Sequence, residues 1–305
     1  MSKAPAVDSK VWFNSKPLSL KELEGKIVLY DFWTYSCVNC RRTIPYLKQW
    51  WKKYKDKGFL IIGIHTPEFD FERDPGNVQC AIRELGVEWP VVLDEYYENW
   101  ENFNNHSWPA KYLADKNGAI VYAHFGEGKY TETEKAIQMM LKEKDRKLRL
   151  PELGIQKKYI GMCFPFTPEI YCGYQRGFLS NKGGFLYNKV KNYTPPKQIP
   201  QDSLALKGTF LAMRDYVQTD KTGAELMLRF RATEVNVVLN PLVGNTVVDV
   251  LHSGKFLKEL SVEKGTMYNL IKSNKAEDGI ISIRLKTGAI RAYAFTFSGR
   301  TEYIK

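Results

Sequence analysis

Two cysteines three residues apart, Cys37 and Cys40, stand inside the stretch Asp31-Phe32-Trp33-Thr34-Tyr35-Ser36-Cys37-Val38-Asn39-Cys40. Cysteines at that spacing can cycle between dithiol and disulfide, one sulfur attacking a substrate and the other closing the ring. The flanking residues put them where this is favoured. The run Lys26-Ile27-Val28-Leu29-Tyr30 reads as a buried strand, and Ile44, Leu47, Trp50, Trp51 and Tyr54 recur at helical steps of three and four. Cys37 therefore falls at or near a helix N-terminus, where unpaired N–H groups and the macrodipole favour an anion. A thiol in such a place drops from about 8.5 to about 7 or lower and becomes a nucleophile at neutral pH. Arg41 and Arg42 add positive charge just inside the helix.

Asp31 follows the apolar strand and is flanked by Leu29, Phe32 and Trp33, so it is expected inside the sheet beneath the cysteines. Burial raises a carboxyl pKa, which suits Asp31 to take up and return a proton as Cys40 attacks. Replacing it with asparagine is expected to stabilise the fold somewhat, since a buried charge disappears. A plain backbone-capping acid is the alternative. A second apolar run, Phe59 to Ile64, reads as a parallel strand, and His65 and Glu68 lie just past its end. Ligands of open α/β sheets gather there, so His65, Glu68 and the strand-end Trp33 are candidate substrate contacts, with loop structuring the alternative. A zinc site would need a second ligand pair. Cys163 and Cys172 are separated by eight residues and the four histidines are scattered, so no metal is implied.

The chain has 305 residues, enough for two domains. No apolar run approaches the roughly 18 residues of a membrane span, and the first residues show no signal-peptide core. As the sequence stands this reads as cytoplasmic and not membrane-spanning, or as extracytoplasmic if the sequence is the soluble part of something longer. The net charge of +11 is spread over lysines, densest at Lys48, Lys52, Lys53, Lys55 and Lys57 on the polar side of the helix after Cys40. No nucleic-acid motif accompanies it, so a solvated helix face is the reading and nucleic acid is not an expected partner.

In order, Val11-Trp12-Phe13 with Pro17-Leu18 reads as an opening hairpin, and Ser19 with Glu22 as a capping box for a helix through Leu23. The active-site helix ends at Gly58. After the second strand comes an insertion with a helix near Val78 to Leu85, whose Cys80 is expected to be a buried, inert thiol. Pro90 to Leu93, a Tyr/Trp-rich helix, a hairpin over Lys111–Leu113 and Ala119–Phe125, and a helix near Glu132 to Lys144 complete a first domain over residues 1–147. Residues 148–202, with six prolines, read as an extended connector. From Ser203 to residue 305 strand follows strand, as in a β-sandwich of jelly-roll type. A bridge between Cys163 and Cys172 would close a short loop in the connector; free thiols are the alternative.

Asp31-Phe32-Trp33, six residues from acid to cysteine, and Pro45 resemble thioredoxin. The longer strings, Asp31 to Cys40, Ile62-Gly63-Ile64-His65-Thr66-Pro67-Glu68-Phe69 and Trp108-Pro109-Ala110-Lys111-Tyr112-Leu113, resemble the TlpA-like domain of DipZ-type thiol:disulfide interchange proteins. The resemblance, extended by Thr167-Pro168-Glu169-Ile170-Tyr171, covers nearly the whole chain. It implies an α/β thioredoxin fold, a mixed sheet flanked by helices with a TlpA-like insertion, then a carbohydrate-binding-module-like sandwich. It also implies Asp31 as proton relay, and a cis bond before Pro109 whose preceding residue, Trp108, presents backbone to a substrate peptide. No cofactor beyond a Cys37–Cys40 disulfide is implied.

The function read from this is a thiol:disulfide oxidoreductase acting on protein thiols and disulfides with an upstream electron donor. Val38-Asn39 stands where thioredoxin has Gly-Pro, which leaves the direction of exchange open. Thr34, three residues before Cys37, has the peroxiredoxin spacing, so a thiol peroxidase is the rival; a binding or adaptor protein on the same scaffold is the third reading. From Ser203 onward there is no tryptophan, and Tyr216, Tyr268, Tyr293 and Tyr303 are the candidate surface aromatics. The second domain is expected to dock a protein partner or hold the first in place, with a saccharide the alternative ligand.

Overall fold

The computed structural model describes residues 2–154, 159–161, 166–298 and 300–302, the two three-residue stretches by backbone alone. The chain divides into two compact units, Met1–Gln156 and Lys157–Lys305.

The first unit carries β1 (Trp12–Phe13), α1 (Leu20–Leu23), β2 (Ile27–Trp33), α2 (Val38–Tyr54), β3 (Phe59–His65), α3 (Pro75–Leu85), β4 (Val91–Leu93), α4 (Glu98–Asn102), β5 (Ala110–Ala114), β6 (Ile120–Phe125) and α5 (Tyr130–Lys144). Its six-stranded sheet runs β1-β4-β3-β2-β5-β6, with β2, β3 and β4 parallel and the other strands antiparallel to their neighbours. This is the thioredoxin-like arrangement. Every residue of β2 is buried, as expected of a strand covered on both faces that is apolar except at Asp31. Val28, Tyr30 and Phe32 face one core with Ile62, Ile64, Phe103 and Tyr112. Asp31 and Trp33 alternate to the other face.

Local signals hold where they are self-contained. Ser19 and Glu22 form both halves of the capping box on α1. Helix α2 runs on through a 3-10 turn to Gly58, whose φ of 85° a side chain would resist. The opening hairpin is not formed: β1 pairs with β4, Trp12 opposite Val92, and takes its hydrogen-bond partners from a strand some eighty residues on. Cys80 is half-buried rather than buried, because α3 turns that side towards Glu84, whose carboxylate accepts from the thiol at 3.5 Å.

The connector is the larger correction. Residues 148–154 belong to the first unit, where Lys53 Nζ donates to the Glu152 carbonyl at 2.9 Å and Gly154 N–H to Glu134 at 2.7 Å. In the second unit, β7 is Tyr159–Gly161, β8 Ile170–Tyr171 and β9 Val190–Tyr193. Strand β8 pairs with β16 (Ile290–Ser298), and β9 with β10 (Ser203–Ala212), so most of the former connector is strand and loop of the β unit. Proline content signals extended backbone but not its hydrogen-bond partner, and here the partners are strands distant in sequence.

The rest of that unit is β11 (Val217–Thr219), β12 (Glu225–Pro241), β13 (Thr246–His252), β14 (Lys255–Val262), β15 (Thr266–Thr287), β16 and β17 (Arg300–Glu302), the last paired with β7. The region is all-β, as expected. Strand β12 pairs with β10 in its first part and β16 in its second, while β11 links β10 to β16. The sheet thus closes on itself around a core including Leu228, Phe230, Val237, Ile281 and Phe295. Cys172 is buried in that core, and the Cys163–Cys172 bridge falls outside the described residues. Among the described residues no helix is long and apolar enough to cross a membrane.

Packing behind the dithiol leaves no room at Gly63. A Cβ there would lie 3.0 Å from Trp33 Nε1, 3.2 Å from Trp89 Nε1 and 3.2 Å from Val91 Cγ2, all in buried residues. Gly63→Ala is expected to destabilise the protein by ~1–3 kcal/mol through overpacking. Urea unfolding checks this, and an unchanged midpoint would show that the two indoles part freely.

Candidate active site

Cys37 is the N-cap residue of α2, with φ −74° and ψ 120°, and its Sγ accepts the Cys40 N–H at 3.3 Å. The sulfur therefore takes one of the donors that a helix start leaves unpaired. Cys37 is half-exposed and Cys40 is buried. The pair is asymmetric: one sulfur can be reached from solvent, and the other is enclosed. Burial and the adjacent Cys37 push the Cys40 thiol well up, against a backbone hydrogen bond from Thr34 that favours its thiolate. The charge of Asp31 also raises it, so the carboxyl is within electrostatic reach of that sulfur.

Asp31 is buried as the sequence led us to expect, but it is not alone. Strand register sets Asp31 opposite Lys111 of β5, and Lys111 Nζ lies 3.1 Å from Asp31 Oδ1, with exposures of 1% and 2%. The two form an ion pair whose alignment falls short of a hydrogen bond. Burial raises the Asp31 pKa and Lys111 opposes it; burial wins. Lys111 was not among the residues read as functional. A lysine inside the apolar run Ala110–Ala114 was the available signal, and the pairing with Asp31 needed the register.

The other site candidates divide. Pro109 immediately precedes β5, whose Ala110 pairs with Phe32, so Trp108 and Pro109 lie at the dithiol's end of the sheet. The Trp108–Pro109 bond is cis. Trp108 is half-buried, with its indole donating to the Thr66 carbonyl at 3.0 Å. Glu68 is half-buried in the same loop. Trp33 and His65, in contrast, are inside the protein rather than at a substrate surface. They are register partners whose rings meet edge-on at 5.2 Å, and Tyr35 stacks over His65 at 5.5 Å and closes it off. Burial holds the His65 pKa down at about 3, so the ring is neutral.

A second buried carboxylate was missed altogether. Glu72, in the turn Asp70–Arg73, is fully buried and accepts from the Thr34 hydroxyl at 2.5 Å, Ser36 N–H at 3.2 Å, Glu68 N–H at 2.7 Å and Phe69 N–H at 3.0 Å. No local pattern marks a loop glutamate as the receptor of four donors from two segments. Among the described residues no three His, Cys, Asp or Glu side chains gather as metal ligands.

Comparison with known proteins agrees with this geometry. A Redoxin family model matches residues 2–141, and a Thioredoxin like C-terminal domain model matches residues 167–298. DipZ of Mycobacterium bovis is 32% identical over 94% of this chain. The chain spans 41% of the length of that DipZ relative. The thiol-disulfide oxidoreductase ResA of Bacillus thuringiensis is 30% identical over 42% of this chain and 69% of its own. The chain belongs to the thioredoxin-like thiol-disulfide oxidoreductase family. Among solved structures, the thioredoxin domain of a thiol-disulfide oxidoreductase from Bacteroides vulgatus is 32% identical, covering 45% of this chain and 96% of that one, with a TM-score of 0.38.

In the second unit, Tyr293 is buried, not at the surface, and Tyr216 lies between it and the Arg291 guanidinium, 4.5 Å above the Tyr216 ring. The Tyr268 hydroxyl donates to the Lys264 carbonyl at 2.8 Å, and Tyr303 falls outside the described residues. The exposed aromatics of this unit include Phe178 and Tyr187, 76% and 59% exposed, in the stretch expected to be connector, and also Phe166 and Phe256. Tyr187 stacks on Tyr174 with ring centres 4.3 Å apart.

The ion pair reverses the expected effect of removing Asp31. Asp31→Asn strands a buried ammonium, so it is expected to destabilise the fold by about 3–5 kcal/mol, and adding Lys111→Met is expected to recover most of that loss. Denaturant unfolding of the parent and the two variants checks this; an Asp31→Asn protein as stable as the parent would refute the pairing.

Proposed function

We propose that Cys37 and Cys40, with Val38-Asn39 between them, exchange disulfides with protein substrates: Cys37 attacks, Cys40 resolves, and Asp31 moves the proton. The observation that carries this is the asymmetry of the pair. The half-exposed Cys37 sulfur sits on the N-terminal N–H of Cys40, and the buried Cys40 feels the charge of a carboxyl whose pKa burial has raised. In the direction of substrate reduction, the Cys37 thiolate displaces one sulfur of a substrate disulfide as a thiolate. Cys40 gives its proton to Asp31 and attacks Cys37 Sγ, and the second substrate thiolate leaves with its electron pair as the Cys37–Cys40 bond closes. Trp108, Pro109 and Glu68, at the same end of the sheet, are the residues assigned to substrate contact.

The peroxidase alternative is disfavoured by Thr34. A peroxidatic threonine would offer its hydroxyl at the attacking sulfur, whereas this hydroxyl donates to Glu72. The second unit docks a protein partner in this reading, with a saccharide the alternative ligand, and Tyr174, Phe178 and Tyr187 form its candidate surface. A glycan array on the whole protein that shows binding lost in Tyr187→Ala would favour the saccharide.

Cys37→Ser is expected to abolish insulin reduction with dithiothreitol as donor, and Cys40→Ser to accumulate mixed disulfides visible by mass spectrometry. Near-normal activity in Cys37→Ser, or peroxide turnover exceeding disulfide exchange, would overturn the reading. Because Asp31 must be ionised to accept a proton and its pKa is raised, the resolving step is expected to accelerate as pH rises through a range above that of exposed carboxyls. Asp31→Asn is expected to lose that rise and about 10²–10⁴-fold in rate. A pH–rate profile that keeps its shape in the variant would leave Asp31 a structural role only. The reduction potential of the Cys37/Cys40 pair decides the direction of exchange: near thioredoxin a reductase, nearer DsbA an oxidase.

A further inference from the structure

We propose that Glu72 is a positioning residue for the resolving step: through Thr34 it holds the backbone donor that supports the Cys40 sulfur as it attacks. The assignment rests on the disulfide-exchange reading above.

The four donors on Glu72 come in two pairs. One oxygen, Oε1, takes the Thr34 hydroxyl and the Ser36 N–H, both from the three residues that lead into Cys37. The other, Oε2, takes the Glu68 and Phe69 N–H groups from the loop after β3. A carboxylate has about four lone-pair sites, so the ionised form satisfies all four donors and fastens the two loops together. An amide cannot do this, since its NH2 would face donors.

The chain of contacts continues on both sides. His65 Nε2 lies 3.4 Å from Thr34 Oγ1. With the hydroxyl proton committed to Glu72, the Thr34 oxygen accepts from Nε2–H of the neutral ring, which leaves His65 Nδ1 as the nitrogen without a partner, as observed. Thr34 is therefore gripped at its hydroxyl from two directions. Its backbone supplies the hydrogen bond that favours the Cys40 thiolate against burial. Loosening Thr34 withdraws that donor from a sulfur with little else to stabilise its charge.

The test isolates the resolving step. With 5,5′-dithiobis(2-nitrobenzoate), the Cys37 thiolate displaces one nitrothiobenzoate and forms a mixed disulfide with the other. The Cys40 thiolate then attacks Cys37 Sγ, the Cys37–Cys40 bond forms, and the second nitrothiobenzoate leaves with its electron pair; that first-order release is followed by stopped flow. Glu72→Gln is expected to slow it at least tenfold and to move the midpoint of its pH profile upward, which a loss of global stability would not do. Thr34→Val is expected to do the same, Thr34→Ser to restore the rate, and the Glu72→Gln/Thr34→Val protein to be no slower than the worse single variant. A rate and midpoint within twofold and 0.3 pH units of the parent in folded Glu72→Gln, or fully additive effects, would overturn the assignment (about twofold is 0.3 of a pH unit at one proton). If Glu72→Gln does not fold, Thr34→Val against Thr34→Ser decides alone, and equal rates overturn it. Failure of the parent to release a second nitrothiobenzoate would refute the exchange reading itself.

Discussion

Two buried carboxylates, Asp31 and Glu72, hold the segment that leads into the dithiol, and the arrangement of the site follows from how each is compensated. Asp31 is answered by a single cation, Lys111, contributed by the neighbouring antiparallel strand. Glu72 is answered, among the described residues, not by a cation but by four hydrogen-bond donors from two loops. An isolated buried charge costs several kcal/mol, so neither would persist unless the surrounding backbone were held in place. The same compensation that keeps them there orders the segment from Asp31 to Cys37. Stability and chemistry thus draw on the same contacts.

The two kinds of compensation differ in consequence. A point charge opposite Asp31 offsets burial only in part, and its pKa remains raised, which suits a group that must gain and lose a proton. The donors on Glu72 bind the ionised form with direction, which suits a group that must keep a loop in register. Burial raises the Glu72 pKa while Thr34 and Ser36 oppose it, so each hydrogen bond lost would favour protonation and loosen the rest. Sheet geometry makes this possible: β2 and β3 are parallel neighbours, and their C-terminal ends bring Thr34 and Thr66 to the same edge.

The β unit is organised by a different constraint. Its long strands β12 and β15 pair along much of their length, and β12 reaches a second partner on its other side in each half. Ring closure through β10, β11 and β16 leaves fewer unpaired edges, and the short strands β8 and β9 cover others. Many aromatic side chains of this unit fill its core, while the Tyr174–Tyr187 stack, Phe178, Phe166 and Phe256 lie outside it.

The sequence by itself determined what depends on neighbours along the chain. The CxxC pair at a strand–helix junction, the capping box of α1, the helical run of α2 and the burial of β2 all follow from spacing and period over a few turns. The burial of Asp31 followed from its apolar flanks, and the all-β character of the second unit from repeated short runs. Tertiary structure decided everything that needed a partner far away. Lys111 meets Asp31 because antiparallel pairing fixes the register, and Glu72 finds Thr34 because two loops meet at one sheet edge. Trp33 and His65 are buried against each other, with Tyr35 stacked on His65, and residues 166–202 became strands and loops of the β unit because distant edges needed pairing. A local pattern states what a segment prefers; which donor answers which charge is set only when separate segments are brought together.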